Sequence, residues 1–473
     1  MKLLAHGRED GVFGSAECGR GTCRQRRDSQ KFHNLRQYHV TKKGFLARDV
    51  STNHHGTRNF ARPPIYDSGV VTRRNFAASL LAPALSNTLR AAPAGKVKIT
   101  GFDIHKVSVR WRDLMFVEVK TDAGIAGLGE ATLESRTDIA ESVLRWLEPE
   151  YAGRDPAGPE EHWNRVYYVA TRWRNGPALM TGLSAIDMAL WDIEARRLGV
   201  PLYRLLGGPL RKELRVYHTH WDSLIPREQR SPPAFADLAA KTREQGWTGV
   251  KYTLAPGGTE LERIRRRVAE LEAIRKAFGD QADIALESAE TFTVRSAIQF
   301  ASAIAPYRPL FLEEPTLREN PEGLGEVAAK SLVPIATGEG LFSRFEFKQL
   351  LDAKGAAIIQ PDVMHAGGVT DIRKIASLAE TYGVEVAPHQ CSGPIAHMAS
   401  MAAMSVCRNF VIHECEGADN DLFREMTDGT YPTQKNGRVR LPDGPGIGIQ
   451  VNFTEFKKRC PYKGIRSRAQ LAL

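Results

Sequence analysis

From Val216 onward the chain repeats one unit eight times, a short apolar stretch followed by a longer amphipathic one. The apolar stretches at 216–220, 249–253, 284–287, 310–313, 334–337, 357–360, 384–388 and 410–413 begin 23 to 35 residues apart. Short apolar runs of this kind read as buried strands, while the intervening segments, such as 261–278 and 371–382, carry helical periodicity. Strands alternating with helices at this spacing run parallel, and eight of them close on themselves. The expected fold class is therefore α/β, a modified (β/α)8-type barrel over 214–424.

The segment before the barrel has a different texture. Alternating stretches near 96–100, 115–120 and 127–130 suggest an antiparallel meander, and helical patterns follow at 137–149, 159–168 and 183–198. The last carries Leu183, Ile186, Leu190 and Ile193 and is stopped by Gly199 and Pro201. Residues 95–213 are thus expected to form an α+β capping domain. After about 425 the pattern breaks into turns, as in Pro442-Asp-Gly-Pro-Gly-Ile-Gly448, and 425–473 is expected to pack back on the cap.

Charge narrows the partners. Residues 1–93 hold sixteen of the 65 basic and six of the 55 acidic residues, so the remaining chain holds 49 of each. The whole net charge of +10 sits in that extension, and the body offers no case for nucleic-acid binding. Residues 1–94 lack periodicity and read as a disordered basic extension. Within them, Thr72-Arg-Arg-Asn-Phe76, an apolar run from Ala77 to Ser86 and Ala92-Pro-Ala94 resemble a twin-arginine export signal. A signal placed some seventy residues in is unusual and leaves open a start codon downstream of Met1. The expected location is periplasmic, with a cytoplasmic protein the alternative. No stretch of eighteen apolar residues exists, so no membrane insertion is expected. None of the six cysteines has CxxC spacing, and Cys391, Cys407, Cys415 and Cys460 read as free thiols.

Active sites of such barrels form at the C-terminal strand ends. Glu287, Glu313 and Glu339 stand at the ends of strands three, four and five, each 26 residues after the last. Asp362, His389 and Glu414 stand at the ends of strands six, seven and eight. One such glutamate is ordinarily solvated or caps a helix. Three converging carboxylates repel unless one protonates or a cation neutralises them. Hard oxygen donors suit Mg²⁺, with Mn²⁺ possible, rather than zinc. Such a metal would bind a substrate carboxylate and stabilise the enediolate left when the α-proton departs. His389 closes Val386-Ala-Pro-His389, so its polar partner must come from a neighbouring strand, and Asp362 is placed to hold the far nitrogen. That pair suits general acid/base work. Lys251, near the end of strand two, should point into the same mouth with Thr253 beside it on that face.

These residues are similar to the mandelate racemase branch of the enolase superfamily over roughly 97–460. The resemblance rests on Gly127-Leu-Gly-Glu130, Ala185-Ile-Asp-Met-Ala-Leu-Trp-Asp192 running to Leu205-Leu-Gly-Gly208, and Phe311-Leu-Glu-Glu-Pro315. It continues through Thr337-Gly-Glu339, Gln360-Pro-Asp362, Gly367-Gly368 and Pro388-His389. It implies that Glu287, Glu313 and Glu339 ligate Mg²⁺, that Asp362 and His389 form the catalytic dyad, and that Glu414 hydrogen-bonds a substrate carboxylate oxygen. It further implies specificity loops in the cap, expected around 110–114, with Arg110 reaching substrate, and 171–176. Gly338-Glu-Gly-Leu-Phe-Ser-Arg344 and Pro306-Tyr-Arg-Pro-Leu310 most resemble galactonate-dehydratase-like members, which eliminate water from sugar acids to give 2-keto-3-deoxy acids. Three positions depart from the pattern. Thr253 stands where racemases of the branch carry the second lysine of a Lys-x-Lys pair, Ala289 where the dehydratases carry a histidine, and Glu287 where an aspartate is usual. Glu290, Lys251, His218 and His220 are the candidates to replace the missing second acid/base, and Glu290 is also a candidate substrate contact.

The expected function is Mg²⁺-dependent dehydration of a small sugar-acid substrate. The alternatives are a racemase or epimerase of a hydroxy acid, and a non-catalytic metal- or sugar-acid-binding protein. A homo-oligomer is expected.

Overall fold

The computed structural model describes residues 96–464 apart from Ser135, Thr171 and 255–256. The extension over 1–94, with the stretch expected to be an export signal, lies outside the described residues, as does part of the cap loop 171–176. Three antiparallel strands open the fold: β1 (Ile99–Val109), β2 (Arg112–Thr121) and β3 (Ala126–Glu130). The first is longer than its apolar residues indicate, because polar residues extend it. His105 pairs with Glu118 on β2 at 2.6 Å, and Lys106 bonds Asp138 at 2.8 Å. Cross-strand pairing of this kind satisfies a strand where alternation fails.

Helices Thr137–Tyr151 and Pro177–Arg197 pack on this sheet, and the short helix Pro159–Asn164 packs on the latter. The long helix begins six residues before its expected start, on Pro177 after a left-handed Gly176 (φ 79°). Proline at a first helical turn forfeits no hydrogen bond. The motif glycines of β3 are there for contact. A Cβ on Gly127 or Gly129 would lie 2.0 Å from the carbonyl oxygens of Ala189 and Ala185, so only glycine lets strand and helix approach this closely.

The barrel strands are β4 (Glu213–His218), β5 (Gly249–Thr253), β6 (Asp283–Glu287), β7 (Phe311–Glu313), β8 (Ile335–Thr337), β9 (Ile358–Ile359), β10 (Glu385–Val386) and β11 (His413–Cys415). Each pairs in parallel with the next in chain order from β4 to β10, and β11 pairs in parallel with β4. The closing strand falls three residues later than expected and works in two pieces. Phe410 and Val411 bond β10, with Val411 N donating to Val386 O at 2.9 Å, while His413–Cys415 bond β4.

One layer of the interior is Tyr217, Ala285, Phe311, Ala336, Ile358, Ala387 and Ile412, large beside small. Two residues further along the chain stand Thr219, Glu287, Glu313, Gln360, His389 and Glu414. Strand side chains alternate with period two, so the layer above the apolar plug is polar and faces the mouth. The tail returns through β12 (Arg438–Arg440), antiparallel to β4, and helix Phe453–Arg459 lies against β1. No described helix is long and apolar enough to cross a membrane. Cys391, Cys407, Cys415 and Cys460 are free thiols.

Candidate active site

A cavity of about 910 Å³ occupies the mouth, walled by the barrel's strand ends below and by the cap segments around Arg110–Trp111 and Thr132–Arg136 above. On its floor, Glu287, Glu313 and Glu339 bring one carboxylate oxygen each within 4.8 Å of one another. Glu287 and Glu313 are buried, and Oε2 of each has no hydrogen-bond partner among the described residues. Buried carboxylate oxygens without partners are costly. Burial, joined for Glu287 by the neighbouring charges of Glu313, Glu314 and Glu339, raises both carboxyls above their ordinary range. A hard divalent cation removes both penalties at once, so this donor set fits Mg²⁺ or Mn²⁺.

The proton-handling pair adjoins it. His389 Nδ1 donates to Asp362 Oδ2 at 2.7 Å, which leaves Nε2 toward the cavity, 3.3 Å from Glu339. Asp362 is fully buried and also accepts from Met364 N at 2.7 Å, so the imidazole is held by a fixed carboxylate. Burial acts to lower the His389 pKa. Without a metal, the charges of Glu339 and Glu414 and the bond to Asp362 outweigh it and raise it; a cation on Glu339 would cancel the largest of these and free Nε2 to accept a proton.

Lys251 is buried, with Nζ 2.8 Å from Glu313 and 2.7 Å from Glu414. Burial would depress its pKa, but Glu313 and Glu414 hold it well above the usual lysine range, so it serves as a cation and not as a base. Glu414 in turn accepts from Gln390 N at 2.8 Å, and Lys251 and His389 hold it ionised against its burial. Thr253 lines the same cavity, its N–H facing Asp222 at 3.3 Å.

The remaining sequence candidates divide. Arg110 lines the cavity and donates to Ser223 Oγ at 3.0 Å, bridging cap and barrel. Glu290 is not among the lining residues. Its carboxylate is taken by Arg318, which donates from Nε at 2.7 Å and from its backbone N–H at 3.0 Å. Glu290 therefore positions Arg318, and it is Arg318 that reaches the cavity. His218 points elsewhere, with Nδ1 on Thr219 O and its ring against Trp247. His220 does line the mouth, with Nδ1 2.8 Å from Glu416.

Sequence reading did not reach Glu314, Arg318, His365, Cys391 or the Arg112–Glu416 pair, although all but the last pair line the cavity. Arg318 had one available signal. A Cβ on Gly340 would lie 1.0 Å from its Nη1, so glycine after Glu339 makes room for a guanidinium.

Comparison with known proteins agrees with this geometry. "Mandelate racemase / muconate lactonizing enzyme, N-terminal domain" matches residues 92–207, and "Enolase C-terminal domain-like" matches 234–455. D-galactonate dehydratase of Ralstonia nicotianae is 36% identical over 370 residues, covering 75% of this chain and 92% of that protein. The Pectobacterium atrosepticum enzyme of the same name is 37% identical, covering 77% and 96%. Among solved structures, a mandelate racemase/muconate lactonizing enzyme from Jannaschia superposes with a TM-score of 0.70 at 32% identity, covering 78% of this chain and 99% of that one. An enolase-superfamily member from Salmonella Typhimurium gives 0.71 at 29% identity, covering 77% and 98%. With both of its domains matched and its strand-end carboxylates in place, the chain belongs to the mandelate racemase / muconate lactonizing branch of the enolase superfamily.

Proposed function

We propose that the protein is a Mg²⁺-dependent acid-sugar dehydratase acting on an aldonate-type substrate. The observation that carries this reading is the juxtaposition of the His389–Asp362 dyad with the three-carboxylate cluster, His389 Nε2 standing 3.3 Å from Glu339. The kinship with D-galactonate dehydratases supports the choice of reaction and substrate class.

Glu287, Glu313 and Glu339 would hold the metal. When bound, Mg²⁺ supplies positive charge to the substrate carboxylate, which makes the adjacent C–H acidic. His389 accepts that α-proton at Nε2, because Asp362 occupies Nδ1. Glu414 faces the same pocket beside Lys251, and the two form a fixed ionic floor that orients the carboxylate end. The cap segment at Arg110–Trp111 closes the far side, where the polyol chain would lie. Racemisation calls for a second base on the opposite face. Of the strand-two residues, Thr253 cannot supply one and Lys251 is tied to two carboxylates.

The test is incubation with Mg²⁺ and a panel of aldonic and uronic acids, with 2-keto acid formation and α-deuterium uptake followed together. Formation of 2-keto acid from at least one aldonate is expected. Deuterium uptake without dehydration on every acid would replace this reading with an epimerase, and neither event despite metal binding would leave a binding protein.

A further inference from the structure

A dehydration needs a proton for the departing β-hydroxyl, and Ala289 leaves none at the strand-three position. We propose that His220 is the general acid that protonates this hydroxyl, with Glu416 and Arg112 as its positioning residues. The proposal rests on the dehydratase reading.

His220 follows β4 by two residues, and β4 pairs with β11, which carries Glu414. His389 and His220 therefore flank Glu414 from the two neighbouring strands of one mouth, and both line its cavity. His220 has the form of a poised acid. Its Nδ1 donates to Glu416 at 2.8 Å, and Glu416 is held by Arg112 at 3.3 Å, itself 2.7 Å from Asp419. Glu416 and Arg112 are buried, while the imidazole stays 27% exposed toward the cavity and among the described residues nothing hydrogen-bonds its Nε2. The pattern matches His389 on Asp362, an imidazole fixed through one nitrogen by a buried carboxylate.

The backbone points the same way. His220 has φ 47°, the left-handed region disfavoured for a residue with a side chain, at the head of the short helix Trp221–Leu224. Such strain persists where surrounding contacts hold a side chain in a required place. Trp111 of the cap sets its ring edge-on at 5.0 Å. The charges around the imidazole are Glu416, Arg112, Arg110 and Glu134. Burial would lower its pKa, but Glu416 outweighs burial and Arg112 and keeps it raised, the direction that suits a proton donor. His365, the other cavity histidine, has Nδ1 on Thr181 at 2.8 Å, and burial lowers its pKa, which leaves it a poorer donor.

In the step, the Cα–H bond breaks and its proton goes to His389 Nε2. The electron pair forms the Cα=Cβ bond as the Cβ–O bond breaks, and the oxygen takes a proton from His220 Nε2 to leave as water. Tautomerisation of the enol moves the His389 proton to Cβ and returns the enol proton to His220, so both histidines end as they began.

The experiment compares the wild-type chain with His220→Gln, loaded with Mg²⁺, on the active aldonate and its 3-deoxy-3-fluoro analogue. Fluoride leaves without a proton. His220→Gln should lose 2-keto acid formation by about 10²- to 10⁴-fold while still exchanging the α-proton and releasing fluoride within a few-fold of wild type. Should that variant fail to fold, Glu416→Gln carries the test, with dehydration weakened, its alkaline limb moved to lower pH and fluoride release spared. Dehydration at the wild-type rate in His220→Gln overturns the proposal. So does equal loss of dehydration and fluoride release in a variant that still binds Mg²⁺, or the exchange-without-dehydration behaviour appearing in His365→Gln instead. A wild type that neither exchanges nor dehydrates any sugar acid sinks the dehydratase reading itself, a result distinct from all of these.

Discussion

Lys251 sets the electrostatics of the mouth one residue at a time. Its ammonium sits between Glu313 and Glu414, so a carboxylate of the metal cluster and one of the substrate floor share a single cation. Replacing it by Met leaves two buried carboxylates uncompensated, and the metal-free protein should lose roughly 3–5 kcal/mol of stability. Thermal unfolding with and without Mg²⁺ checks this; metal should recover part of the loss, because it neutralises Glu313 but does not reach Glu414. His389 makes the opposite kind of prediction. His389→Asn should lower turnover by at least about 10²-fold while Mg²⁺ affinity by calorimetry stays nearly unchanged, since no metal-ligating oxygen is removed. A large loss of metal binding would show the role to be wrong. The residues of this floor were legible because each stands at a strand end with its interval visible in the chain. Glu416 and Arg112 were not, because their meaning is a contact between residues some three hundred positions apart.

Among elements, the informative contacts are those that fasten the cap to the barrel. Glu130, ending β3, accepts from Gly393 N at 2.6 Å and Ala396 N at 3.0 Å, at the start of helix Pro394–Met404. Asp187 of the long cap helix accepts from Thr370 N at 3.0 Å, at the start of helix Gly368–Thr381. Both carboxyls cap helix N-termini, where orphan N–H groups need acceptors. Burial pushes their pKa values up to about 7 and about 8, the latter with Asp187 Oδ1 left unpartnered. A folded-state pKa above the unfolded one means stability that is full below the ordinary carboxylate pKa and lost as pH rises through the folded value. Stability should therefore fall between about pH 5 and pH 8, at up to roughly 1.4 kcal/mol per pH unit for each group. In Asp187→Asn that slope should drop by one group's share, measured as urea unfolding across this range; an unchanged slope would refute the assignment. The motifs Gly127–Glu130 and Ala185–Asp192 were visible in the sequence as motifs, but their physical purpose here is docking, which no periodicity announces. β1 shows the complementary case, a strand hidden from pattern reading because His105 and Lys106 find partners only in three dimensions.

At the scale of the whole molecule, the barrel was legible because eight repeats of one period leave few other closures, and only its seam was misplaced. Phe410 answers to β10 and His413 to β4, a division that a single apolar run cannot reveal. The export reading of Thr72–Phe76 belongs to this scale as well. Residues 66–95 placed before a folded reporter should direct it across the inner membrane, and Arg73→Lys with Arg74→Lys should stop it; unaltered export by the double variant would remove the twin-arginine assignment. The Glu130 clasp has a mechanical corollary. It grips the turn at Gly393, four residues from His389, so cap and proton carrier are bolted to the same short stretch of chain. A cap that tilted as a rigid lid would drag His389 off the α-carbon at each opening. Substrate is then expected to enter and leave through local play in the rim segments near Arg110 and Pro177, with cap and barrel moving together.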